Sequence, residues 1–206
     1  ANVIINAIVV LAGDSVLIAL FLTMICCIVL GMGVPTTATY CIMAATCAPI
    51  LVRMGVPMVA AHFFVFYFGI VADLTPPVAL AAYAGSAIAQ ANPMKTALEA
   101  TKLAIGAFIV PYAFALSPSM LLIDTTVPEV ILITVTSLVG IASVSAAMEG
   151  YLFGRLSWFR RGLALVGGLM MIYPGTMTDV IGLVLSGAVV ALSMLDQKKA
   201  ASVKTA

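Results

Sequence analysis

The chain has 206 residues, of which 64% are hydrophobic and only 8% charged, with a formal net charge of +1 and a mean hydropathy of +1.23. Soluble domains carry about 25% charged residues, so this set cannot supply a water-exposed surface. It also lacks the basic field that nucleic acid requires. An all-α polytopic membrane protein follows, with membrane lipid as its surroundings and no nucleic acid as partner.

Residues 1–13 read as the end of a preceding transmembrane helix. They carry no initiator Met, charged n-region or cleavage site, so they are not a signal peptide. The expectation is therefore the C-terminal part of a longer protein. The stretch 15–52 that follows has no formal charge. As one helix it would extend roughly 57 Å, nearly twice a membrane core of about 30 Å, so it must fold back. Gly31-Met32-Gly33-Val34-Pro35-Thr36-Thr37 marks the place, because two glycines and a proline interrupt a helix there. Residues 14–53 then form either two short spans or a re-entrant hairpin.

Residues 54–94 contain a second interruption at Asp73-Leu74-Thr75-Pro76-Pro77, flanked by helical stretches 57–72 and 78–90. Pro57, and Pro76 after Thr75, are the expected helix starts. Residues 95–123 supply one transmembrane helix, expected over about 96–116. Residues 124–206 supply extra C-terminal transmembrane helices at about 128–149, 162–174 and 180–196, then a cytoplasmic polar tail from Gln197. Lys95, Lys102, Arg155, Arg160, Arg161, Lys198, Lys199 and Lys204 fall on one side if these helices alternate, which makes that side cytoplasmic. Arg53 stays open. It joins them if 54–94 crosses twice and opposes them if that segment crosses once.

Each interruption has two readings. As an ordinary turn between spans it does nothing further. Near the bilayer midplane it is tolerated only where protein or a water-filled cavity surrounds it, and paired interruptions of this kind mark the binding sites of secondary transporters. A helix beginning at Thr36 and Thr37 directs unpaired N–H groups and a positive dipole end forward, which suits a carboxylate. A helix ending at Gly31–Gly33 leaves carbonyls that suit Na+. Thr75 repeats the pattern, and Asp73 becomes a site candidate if it lies at membrane depth. His62, the only histidine, reads as a hydrogen-bonded packing residue. Cys26, Cys27, Cys41 and Cys47 lack C-x-x-C spacing and read as membrane packing. No metal cluster, acid/base pair, Walker loop or dinucleotide fingerprint is present, so no enzyme and no resident cofactor is expected.

Three motifs in order, Gly31–Tyr40 (GMGVPTTATY), Ala61–Gly69 (AHFFVFYFG) and Leu74–Tyr83 (LTPPVALAAY), closely resemble the fused membrane subunit of a tripartite ATP-independent periplasmic (TRAP) transporter. More narrowly, they resemble the type that works with TAXI binding proteins. The resemblance runs from about residue 1 to 123 and is weaker after 128. It implies an elevator-type carrier half with a re-entrant hairpin at 15–52 and a discontinuous helix over 57–90. Pro35, Thr36, Thr37, Thr75, Pro76 and Pro77 would contact substrate, and Gly31, Gly33 and Thr75 would hold the coupling Na+. Asp73 matches no family position and enters through burial alone.

The implied function is a Na+-coupled, binding-protein-dependent importer of organic anions in the bacterial inner membrane. Its implied partners are a periplasmic TAXI-type binding protein, the N-terminal permease half and the small-subunit helices. A non-transporting structural membrane subunit and a polytopic membrane enzyme are the competing readings.

Overall fold

The computed structural model describes the backbone of residues 2–123, 125–173 and 175–204, and the side-chain surroundings of 6–123, 125–173 and 175–197. Within them the chain is helical, with a single isolated bridge between Tyr151 and Arg155 in place of any strand. It divides into two units, one running through Ala104 with Val110–Ile123, the other formed by Ile105–Ile109 and the chain after 124.

In the first unit, α1 (Asn2–Ala12) leads through Gly13 into α2 (Val16–Gly31), whose first turn is capped by Ser15 accepting from the Ile18 N–H. The chain then reverses into α3 (Thr36–Thr46) and α4 (Ala48–Arg53). These run back along α2, which places Cys47 against Cys26 and Ile50 in a cluster with Leu22 and Cys26. The result is a helical hairpin with its tip at residues 32–35 and Arg53 at its base. At 16 residues, α2 is about 24 Å long, which falls short of a membrane core of about 30 Å.

From the hairpin base α5 (Met58–Val71) runs toward the tip, packing on α2, α3 and α4. Its inner face is aromatic, with Phe64 against Phe68 at 4.8 Å and Tyr112 at 5.4 Å. These edge-on contacts are the arrangement that ring quadrupoles favour. A 3-10 turn over Ala72–Leu74 closes α5, and the next helix, α6 (Leu80–Ile88), packs on α7 (Pro93–Leu103). Among the described residues α6 does not pack back along α5.

Helix α7 starts at Pro93, three residues before the expected 96, because Asn92 caps it through the Lys95 N–H and proline suits the first position. It meets α8 (Ile105–Leu116) at a 40° bend, and the pair is long and apolar enough to form one span.

The second unit contains α9 (Val127–Glu149), α10 (Trp158–Met170) and α11 (Thr176–Lys204). A capping box between Thr126 and Glu129 opens α9, and Gly150 closes it in the left-handed region at φ +69. By length and composition, Val127–Glu149 and Thr176–Gln197 can each cross a membrane. At 13 residues and about 20 Å, α10 cannot cross alone. It begins at Trp158 rather than near 162. Helix α11 begins at Thr176 and continues as helix to Lys204, where a polar tail was expected from Gln197. Alanine and lysine favour helix whether or not lipid surrounds them.

Candidate helix-break site

Both interruptions are real breaks in helical geometry, and they lie together. Helix α2 ends at Gly31; Met32 is extended, Gly33 has φ +71, and Pro35 at φ −55 and ψ 139 begins α3 at Thr36. The φ at Gly33 favours glycine over any β-carbon-bearing residue, whereas space does not, since an added Cβ would meet only Val78 Cγ1, at 3.9 Å. Gly31 is glycine for the opposite reason. Its Cβ would lie 3.0 Å from both the Ala72 Cβ and the Gly69 carbonyl oxygen. That close approach brings the hairpin tip against the end of α5, so the first break touches the second.

At the second break, Thr75 is buried and extended at ψ 136, and the Pro76–Pro77 peptide is cis. Here the expectation of a helix start at Thr75 and Pro76 is corrected. Each residue before a proline is disfavoured from helical backbone, which keeps Thr75 and Pro76 out of helix. Helix α6 resumes only at Leu80, after Ala79 at φ 35. The Thr75 hydroxyl instead donates to the Ala72 carbonyl at 3.2 Å, leaving its oxygen lone pairs uncommitted.

Asp73 sits in the 3-10 turn that closes α5. Its Oδ1 is buried and has no hydrogen-bond partner among the described residues, a condition shared with the Thr23 hydroxyl. An unpartnered buried acceptor costs about 1–3 kcal/mol.

At α3, Thr36 and Thr37 are exposed and no side chain caps the first turn, so N–H groups there remain open. Pro35 and Pro77 are exposed as well, and Pro76 is half-buried.

Three further residues brace these breaks and were not singled out from the sequence. Buried Thr39 donates its hydroxyl to the Val34 carbonyl at 3.1 Å, and Tyr83 donates to the Pro77 carbonyl at 2.8 Å. Both occur within the quoted motifs, so a hydroxyl one turn past a break was the available signal. Thr101 donates to the Ala97 carbonyl at 2.8 Å and reaches the Leu74 carbonyl at 3.4 Å. Nothing local in sequence foretells a partner 27 residues away.

His62 lies outside the breaks. Its Nδ1 hydrogen-bonds the Tyr40 hydroxyl at 3.0 Å, in line with a packing role. It lines an apolar groove of about 530 Å³ with Tyr40, Phe63 and Phe66. The four cysteines are free, with Cys26 and Cys47 sulfurs 3.7 Å apart.

A comparison with protein families matches residues 2–130, more than half of the chain, to the tripartite ATP-independent periplasmic transporter, DctM component. The chain belongs to this family. Neither curated proteins nor solved structures return a match. Both breaks of the permease component therefore lie inside the family-matched region, as does every residue that braces them. Most of α9 and all of α10 and α11 lie beyond it.

Proposed function

We propose that the chain is the C-terminal part of the membrane permease subunit of a Na+-coupled, binding-protein-dependent importer of organic anions, with carboxylates as the substrate class. The observation that carries this reading is the meeting of two broken helices, Gly31 against Gly69 and Ala72, with Gly33 beside Val78. Irregular backbone inside a membrane needs protein or water around it, and helix starts with open N–H groups attract anions.

In this reading Pro35, Thr36 and Thr37, with Thr75, Pro76 and Pro77, form half of the substrate site. Carbonyls at Gly31 and Gly33, the Thr75 oxygen and the Asp73 carboxylate hold Na+, which is cargo and needs no resident cofactor. The N-terminal permease half and the small-subunit helices complete the site, and a TAXI-type periplasmic binding protein delivers substrate. The hairpin is re-entrant, the 54–94 segment crosses once, and the unit moves as an elevator in a bacterial inner membrane that it crosses several times.

Uptake by the complete carrier in proteoliposomes tests the coupling. With Na+ as driver, Asp73→Asn keeps substantial uptake, because an amide oxygen still ligates. Gly33→Val weakens Na+ activation about tenfold, through the cost of a β-branched residue in the left-handed region. Uptake that needs no Na+, follows a pH gradient and vanishes in Asp73→Asn overturns the sodium assignment.

A further inference from the structure

Beyond the family-matched region, one end of the second unit gathers charge and aromatic surface that the transport reading leaves unused. Helix α9 ends there, α10 begins there, and Asp196 of α11 reaches it. The connecting loop is built rather than loose. The Leu156 N–H donates to the Gly150 carbonyl at 2.8 Å and the Leu152 N–H to the Gly154 carbonyl at 2.9 Å. Leu156 is buried with Ala147, Ala164 and Val189, which anchors the loop and leaves Arg155 on its outer side.

The three arginines have different tasks. Arg161 turns inward, donating at 2.7 Å to the Ala147 and Met148 carbonyls that end α9, with its guanidinium 4.6 Å from the Trp158 ring. Arg160 pairs with Asp196. Arg155 is exposed and has no side-chain partner among the described residues. Arg155, Arg160, Asp196 and Gln197 line a cavity of about 260 Å³, in which two guanidiniums face one carboxylate.

Around it Trp158 is 83% exposed and Phe159 75% exposed, with Tyr151 also outward. Aromatic rings beside unpaired cations suit the membrane–water interface, where rings seat at headgroup depth and cations meet phosphate.

We propose that this cavity binds the headgroup of an anionic phospholipid, with Arg155 as the principal phosphate ligand, Arg160 as the second and Trp158 seated among the acyl-chain ends. Asp196 works against the anion and sets the affinity. Its pairing with Arg160 leaves Arg155 as the uncommitted guanidinium among the described residues that line the cavity, so binding is selective for charge without being tight.

Trp158 is the only tryptophan of the chain and sits beside the site, which gives a direct readout. The full chain is reconstituted in phosphatidylcholine vesicles, and quenching of its fluorescence by brominated phosphatidylglycerol is compared with quenching by brominated phosphatidylcholine. The anionic lipid is expected to bind about fivefold more strongly for each cation engaged. Arg155→Gln lowers that preference about fivefold, while Asp196→Asn raises it, and these opposite signs separate a charge-reading site from simple loss of fold. Millimolar soluble glycerol phosphate leaves the quenching unchanged. Equal quenching by both lipids, a preference that neither substitution moves, or displacement by soluble glycerol phosphate overturns the proposal.

Discussion

Gly33 in the first unit and four glycines in the second serve opposite ends. In the second unit Gly140, Gly167, Gly168 and Gly182 lie inside continuous helices and let backbones touch. A Cβ on Gly168 would lie 2.6 Å from the Gly140 carbonyl oxygen, and one on Gly182 would lie 2.6 Å from that of Gly167. The Ser143 hydroxyl bonds the Ala164 carbonyl at 2.9 Å and the Ser186 hydroxyl at 3.0 Å across the same interface. This is small-residue packing as membrane helices use it, where close approach and hydrogen bonds replace a hydrophobic drive.

In the first unit Gly33 gives up helical continuity altogether, and Gly31 brings one interruption against the other. Those four glycines join whole helices; Gly33 opens a helix end. Only the second use leaves polar backbone available to a ligand.

The contrast can be broken most sharply at the exposed helix start. Replacing Thr36 and Thr37 together with alanine removes two hydroxyls beside the open N–H groups. Hydrogen bonds to a charged partner contribute about 1.5–3 kcal/mol each, so uptake by the complete carrier is expected to fall at least about tenfold while membrane insertion is unchanged. Normal uptake with unaltered Na+ dependence would reduce the first break to a turn.

A paired substitution at Gly31 and Gly168 has a smaller expected effect. Gly31→Val and Gly168→Val each press a side chain into a neighbouring backbone, at a cost of about 1–3 kcal/mol. Both should lower the unfolding temperature in detergent. Only Gly31→Val should also weaken Na+ activation of uptake, because it alone parts the two breaks. If Gly168→Val changes Na+ activation as strongly, glycine has one role throughout the chain and the distinction fails.

What could be read in advance follows the same division. The break at Gly31–Pro35 and the start of α3 at Thr36 were legible because glycine and proline act on their own backbone. Charge gaps, in contrast, say nothing about where helices end. Helix α7 therefore runs through Lys95, Glu99 and Lys102, α10 opens ahead of Arg160 and Arg161, and α11 passes Lys198 and Lys199 without stopping. Thr75 misled for a related reason. It resembles a helix cap in sequence, but two following prolines hold it extended and its hydroxyl turns back to Ala72. The meeting of the breaks and the reach of Thr101 to Leu74 are tertiary facts with no local signature.

The path of residues 54–94 decides whether the second break lies within the membrane. Helix α5 runs from the hairpin base to the hairpin tip, and among the described residues α6 does not pack back along it, so the segment should cross once. With Cys26, Cys27, Cys41 and Cys47 replaced, single cysteines at Arg53 and Lys95 are labelled with an impermeant maleimide in oriented membranes. Both positions are exposed in the native fold and should react. Labelling from opposite faces is the predicted result. Labelling from the same face would mean two crossings, place Thr75 in a surface turn and rule out a break within the membrane.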